Sequence, residues 1–153
     1  MKFSYFQGTA LEEEIRVFLE TNKIDDKIDQ RGWTTLMQAS NDNDMKKVQL
    51  LLKFGANINK QDDDGETALL LVSRKGIECV ALLLIENNAK LDIQDHEGST
   101  ALIQSSVNGH LQTIKSLVGH NASLNIQNKH GDTALISSAK FGFHEITKVL
   151  LDA

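Results

Sequence analysis

The sequence predicts an all-α solenoid of stacked helix-turn-helix repeats joined by β-hairpin-like finger loops. Two observations carry that prediction. Gly32, Gly65, Gly98 and Gly131 lie 33 residues apart, and Thr34, Thr67, Thr100 and Thr133 keep the same spacing, as do Leu36, Leu69, Leu102 and Leu135. Around these fixed points the pattern repeats as well: Asp or Asn, Gly, Thr, an apolar run, Gly or Asn, then a second apolar run rich in Leu. A fixed period of this length marks a stacked-repeat architecture and outweighs local propensity.

Each element follows from that register. Residues 1–28 form a degenerate repeat: a shift of 33 places Phe3 and Phe6 over Leu36 and Ala39, and Ile15, Phe18 and Leu19 over Val48, Leu51 and Leu52. The run Glu12-Glu13-Glu14 opens its second helix, where carboxylates suit the positive end of the helix dipole. This segment is expected to be an amino-terminal cap. Residues 29–61, 62–94, 95–127 and 128–153 are the four recognisable repeats, and 1–153 is expected to form one domain.

Within each repeat, Gly before Thr permits a turn with positive φ, and the Thr hydroxyl then caps an inner helix. Small residues follow on that helix, Ala39-Ser40, Val72-Ser73, Ser105-Ser106 and Ser138-Ala139, and allow neighbouring helices to approach closely. Asn43, Gly76, Gly109 and Gly142 break the chain to an outer helix, Asn being a tolerated second choice for a left-handed position. The outer helices carry Leu50-Leu51-Leu52, Leu82-Leu83-Leu84, Leu117-Val118 and Val149-Leu150-Leu151. Gly55-Ala56, Asn88-Ala89 and Asn121-Ala122 end them, and the chain runs out into a β-like finger that returns at the next Asp-x-x-Gly.

This template resembles the ankyrin repeat family, whose signature is Gly-x-Thr-Pro-Leu-His, small residues, Gly-His, a Leu cluster and Gly-Ala. The resemblance spans residues 29–153. Two departures stand out. Proline, favoured at the first helical position, is absent from the chain, and Thr35, Ala68, Ala101 and Ala134 take its place. The family's His is replaced by Met37, Leu70, Ile103 and Ile136, so a side-chain hydrogen bond is expected to be lost at every inner helix. Cys79 is expected to be a small filler within an outer helix.

Composition removes several classes of function. The net charge of -5 argues against a nucleic-acid partner, which needs a basic face to displace counterions. No apolar run approaches the roughly 18 residues that a membrane span requires. A single cysteine excludes an internal disulfide framework and points to a reducing compartment, so a cytoplasmic location is expected, with the nucleus or a signal-less export route left open.

Catalytic and cofactor readings find no support in the spacing. The five His include no pair at the i, i+4 spacing that places two ligands on one helix face. Asp62-Asp63-Asp64-Gly65 resembles a calcium loop, but counting from Lys60 puts Leu71 where the final Glu belongs. No catalytic, metal or cofactor residue is therefore assigned.

The resemblance instead implies protein recognition through a concave face of inner helices and finger tips. The informative positions are those the repeat does not dictate. In register these are Gln30, Arg31, Trp33, Asn41 and Asp42; Asp63, Asp64, Glu66, Arg74 and Lys75; His96, Glu97, Ser99, Val107 and Asn108; Lys129, His130, Asp132, Lys140 and Phe141. Trp33 and Phe141 are the expected anchors, because aromatic residues dominate binding hot spots. Asp62, Asp63, Asp64, Glu66, Asp95 and Glu97 concentrate negative charge on the middle fingers, so the partner is expected to be a protein with a basic patch. An alternative is that the chain is the targeting or regulatory segment of a larger enzyme or effector. Its ending one residue short of the expected Gly-Ala favours that alternative. The carboxy-terminal repeat reads as an internal one, with Ile136, Ile146, Val149 and Leu150 available to a neighbour, so self-association is expected there.

Overall fold

The computed structural model describes Ala10, Glu12, Glu13, Arg16, Val17, Asp25 and residues 27–153. Most of the amino-terminal cap, including Phe3, Phe6, Ile15, Phe18 and Leu19, lies outside the described residues. Among those described, four helix pairs follow one another: α1 (Thr35–Asn41) with α2 (Met45–Lys53), α3 (Ala68–Lys75) with α4 (Glu78–Glu86), α5 (Ala101–Asn108) with α6 (Leu111–Gly119), and α7 (Ala134–Lys140) with α8 (His144–Leu151). The inner helices α1, α3, α5 and α7 stack on one another, and the outer helices stack behind them. This is an all-α repeat solenoid.

The helices run only seven to nine residues, well below the dozen or so that a helix needs to persist alone in water. Neighbour packing therefore supplies what local propensity cannot. Each inner helix starts at the predicted Thr: the hydroxyls of Thr34, Thr67, Thr100 and Thr133 accept from the N–H three residues on, each at 3.3 Å. Each ends at a left-handed residue, Asn43, Gly76, Gly109 or Gly142, with φ between 57° and 77°. The core runs along the length of the stack. Leu36, Leu69 and Leu102 from the inner helices meet Leu51, Leu84 and Leu117 from the outer ones, each at most 1% exposed.

Two expectations need correction. The lost hydrogen bond is not lost everywhere, since the Thr34 N–H reaches Met37 Sδ at 3.3 Å and the first inner helix keeps a weak reciprocal cap. Cys79 is exposed rather than a filler, because it sits on the solvent side of α4. The finger loops are hairpin-like as expected, closed by backbone bonds from Asp62 N–H to Glu66 C=O, Asp95 N–H to Ser99 C=O and Asn128 N–H to Asp132 C=O at 2.9–3.0 Å, with no described residue in a regular strand. One side-chain oxygen also holds each finger. Oδ1 of Asp29, Asp62, Asp95 and Asn128 accepts the N–H groups two and four residues on, at 2.7–3.0 Å.

Successive fingers are tied by backbone. The Asp63 N–H donates to Arg31 C=O at 3.0 Å, His96 N–H to Asp64 C=O at 2.9 Å, and Lys129 N–H to Glu97 C=O at 2.9 Å. This contact needs Gly at the finger turn. Gly65 has φ +78°, and a Cβ there would lie 2.8 Å from His96 Cδ2 and 3.0 Å from its backbone N. Gly131 has almost the same φ, +77°, with nothing within 4 Å. Gly131→Ala is therefore expected to destabilise by the left-handed strain alone, about 1–2 kcal/mol, and Gly65→Ala by more. Urea unfolding of the two variants measures the difference, which isolates the contact between fingers; equal losses would contradict it.

Candidate protein-recognition face

Two columns of the predicted surface are fully open and lie on the fingers. Gln30, Asp63, His96 and Lys129 form one; Arg31, Asp64, Glu97 and His130 form the other, and all eight are exposed. A third open column lies at the end of the inner helices, where Asp42, Lys75, Asn108 and Phe141 are exposed at successive 33-residue steps. Phe141 is 59% exposed and its ring stacks on Phe143 with centroids 6.4 Å apart.

The column immediately after the finger glycine does not belong to this surface. Trp33 is 5% exposed and Glu66 6%, Ser99 is also buried, and Asp132 is half-buried. The reason is the finger turn itself: the N–H at this position is the one that reaches back to Oδ1 of the Asp or Asn, and the bond draws the residue beneath the finger. Trp33 is therefore a core residue rather than an exposed anchor. Arg31 lies over its ring, 3.8 Å from the centroid, and its Nε donates to Asp29 Oδ2 at 3.0 Å. The bond from the Trp33 N–H does most to hold the Asp29 carboxyl below its usual range; burial opposes it and Arg31 reinforces it.

Where the buried column carries an acid, the inner helix supplies its partner eight residues on. Arg74 Nη1 meets Glu66 Oε1 at 2.7 Å, and Lys140 Nζ meets both oxygens of Asp132 at 2.6 and 2.7 Å. At the same helix position the first and third repeats carry Asn41 and Val107, both half-buried. Four residues read from the sequence as separate surface contacts are thus two internal ion pairs. Burial pushes the Glu66 carboxyl up, the Arg74 guanidinium pulls it down, and Asp62, Asp95 and Asp64 push it up again.

The acidic fingers are also more neutral than the sequence suggests. Asp62 is buried, 7% exposed, and is occupied by the finger turn. Asp95 is half-buried, holding its own turn through Oδ1 while Oδ2 accepts from Gln104 Nε2 at 2.9 Å. At the tips, Asp63 pairs with Lys27, and Glu97 lies 3.9 Å from Lys129. Asp64 is exposed and contributes its charge to solvent. Lys75 has no ion-pair partner among the described residues, although its charge helps to lower the Asp42 carboxyl after the dominant hydrogen bonds from Gln38 and Asn41. Asn108 turns its side chain back to Gln104 C=O at 2.8 Å.

The finger-closing Asp and Asn residues are structural positions that the reading of variable sites passed over. Their signal was present in the same 33-residue period, at 29, 62, 95 and 128. Among the described residues no three His, Cys, Asp or Glu side chains converge as metal ligands would, and no helix is long and apolar enough to cross a membrane.

Two substitutions separate these roles. Trp33→Ala is expected to lower stability by about 3–5 kcal/mol, the range for removing a buried aromatic ring, measured by urea unfolding. For Glu66 the pH dependence has a definite sign. The folded state binds its proton more tightly than the unfolded chain, whose carboxyl titrates near 4.5. Ionised Glu66 therefore carries a stability penalty at neutral pH, which fades as pH falls through the raised value and is gone below 4.5. Relative to Glu66→Gln, the wild type should gain stability as pH is lowered over that window. Unfolding curves of the two proteins that stay parallel with pH would contradict the assignment.

Comparison with known proteins agrees with this architecture. A family model for ankyrin repeats, described as three copies, matches residues 9–95 and 69–153. A search of curated proteins returns no match to the chain. With eight short helices in stacked pairs among residues 27–153 and nearly its whole length covered by that match, the chain belongs to the ankyrin repeat family.

Proposed function

We propose that the chain is a non-catalytic protein-recognition module, and that its contact surface is the finger tips together with the column Asp42, Lys75, Asn108 and Phe141. Ankyrin repeats in general bind other proteins. The single observation that carries the assignment within this chain is the split between columns. The position after each finger glycine is buried or half-buried, while three neighbouring columns are exposed at every repeat and change chemistry from step to step. A rigid scaffold that presents non-repeating side chains at regular spacing is suited to reading one partner.

The partner this surface fits carries positive charge opposite Asp64 and Glu97, and an apolar or aromatic group opposite Phe141. Arg74 and Lys140 hold internal acids, so Lys75 is the inner-helix cation left to meet an acid on the partner. The exposed, single Cys79 suits a reducing environment, and we place the module in the cytoplasm on that basis. The exposed apolar groups of the fourth helix pair form a second contact surface. Of the four residues expected there, Ile136 is 39% exposed and Val149 half-buried, whereas Ile146 and Leu150, at 3% and 6%, are already packed; Phe141 and Leu151, also exposed, add to the apolar groups.

Replacing Lys75, Asn108 and Phe141 together by Ala is expected to abolish capture of the partner while leaving the circular dichroism spectrum unchanged. Asp64→Asn with Glu97→Gln should slow association at low ionic strength and flatten its dependence on salt, because exposed charges steer encounter and are screened. Capture that survives the first change but is lost on altering exposed outer-helix residues such as Glu78 and Lys115 would place the surface elsewhere.

A further inference from the structure

We propose that the second and third fingers seat a basic segment of the partner protein, and that its binding is coupled to loss of a proton from Glu66. The inference rests on the recognition surface proposed above and deepens it. It follows from an excess of acid at one step of the stack.

Glu66 is 6% exposed and meets one cation, Arg74, at 2.7 Å. Three further acids face that pair. Asp62 and Asp64 belong to the same finger and Asp95 to the next, which the bond from His96 N–H to Asp64 C=O brings alongside. Asp62 is 7% exposed, and its Oδ2 has no hydrogen-bond partner among the described residues. The same oxygen of Asp95 accepts from Gln104 Nε2, but one repeat earlier Leu71 stands in the place of Gln104. Two cations that precede this finger are committed to other acids, Arg31 to Asp29 and Lys27 to Asp63. Four carboxyls thus share one guanidinium. The fourth repeat keeps the ion pair without the crowding: Asn128 is neutral where Asp62 is acidic, Asp132 is half-buried, and Lys140 engages both of its oxygens.

The layout of this charge selects the occupant. Among the described residues no three acids converge as the ligands of one metal ion would. Asp64 and Glu97 instead stand exposed one repeat apart. The Lys129 contact to Glu97, at 3.9 Å between two exposed side chains, is a loose surface pair worth little. Successive flexible cations on a partner segment fit two acids so placed.

A cation seated against Asp64 also acts on Glu66. Burial pushes the Glu66 carboxyl up and Arg74 pulls it down, while Asp62, Asp95 and Asp64 each push it up. Offsetting Asp64 and Asp95 removes part of that push, favours the ionised carboxyl and expels its proton. Binding is therefore stronger at higher pH and weakens as Glu66 takes up its proton. By reciprocity the bound segment reduces the stability that the free chain gains on acidification.

The test uses the full chain and a pentalysine peptide with blocked ends, whose charge is constant while Glu66 titrates because lysine ionises far above that range. Calorimetry in buffers of different ionisation enthalpy counts the protons released on binding. Over the window from the raised value down to 4.5, the wild type should release more protons than Glu66→Gln. Its affinity should also fall more steeply with falling pH than that of Glu66→Gln, the excess being at most about tenfold per pH unit for one proton. Asp64→Asn with Glu97→Gln should weaken binding several-fold, and circular dichroism verifies that each variant folds. Binding that needs Asp64 and Glu97 but releases equal numbers of protons from the wild type and Glu66→Gln overturns the coupling and leaves the basic-partner reading standing. Absence of peptide binding, or wild-type affinity in Asp64→Asn with Glu97→Gln, overturns both.

Discussion

One side-chain oxygen per repeat governs much of this molecule. Oδ1 of Asp29, Asp62, Asp95 or Asn128 accepts two N–H groups of its own finger and fixes a turn that would otherwise leave both donors unpaired. The turn aims one backbone edge at the next finger and pulls the residue after the glycine underneath. Finger spacing, the burial of Trp33 and Glu66, and the exposure of the neighbouring columns all depend on that bond. Its geometry explains why the acids at these positions are not available as surface charge, even though they stand in the most acidic stretch of the chain.

Neighbour packing is the second constraint. Helices of seven to nine residues cannot hold themselves, so each pair is ordered by the apolar face of the next, and stability is a sum of interfaces rather than a property of one core. The serines at the inner-helix contact allow that approach: Ser105 and Ser106 turn their hydroxyls back to carbonyls of their own helix, at 2.7–3.1 Å, and present little more than a methylene to the neighbouring helix. A long side chain in this column would hold the helices apart.

Electrostatics then sorts the surface. Glu66 with Arg74 and Asp132 with Lys140 spend their charge inside the second and fourth repeats, while the first and third repeats place Asn41 and Val107 where a base would stand. The inner-helix and finger face is therefore less charged than its composition implies, and in the proposed reading recognition falls to a few exposed residues: Asp64, Lys75 and Phe141. Asp64 and Lys75 have no ion-pair partner among the described residues, and Phe141 keeps 59% of its surface open beside its stacking contact with Phe143.

The sequence by itself determined the repeat, and with it the class of fold, because a 33-residue period fixes which residues recur at caps, turns and helix contacts. Thr34, Gly65, Asn43 and Leu84 could be placed from spacing, since each answers a local demand: a cap, a positive φ, a left-handed stop, a buried face. Burial across repeats was not legible in this way. Trp33 and Glu66 read as surface because they vary from repeat to repeat, whereas the finger turn draws their column inward whatever residue occupies it. Arg74 and Lys140 read as free cations because their acids lie eight residues away, across a turn and a helix. Ile146 and Leu150 read as available, yet they pack within the chain, while Ile136 and Leu151 stand open at the edge. Period reports which residues are equivalent; only the tertiary structure decides which equivalent positions meet a neighbour, because that depends on where the stacked faces come together in space.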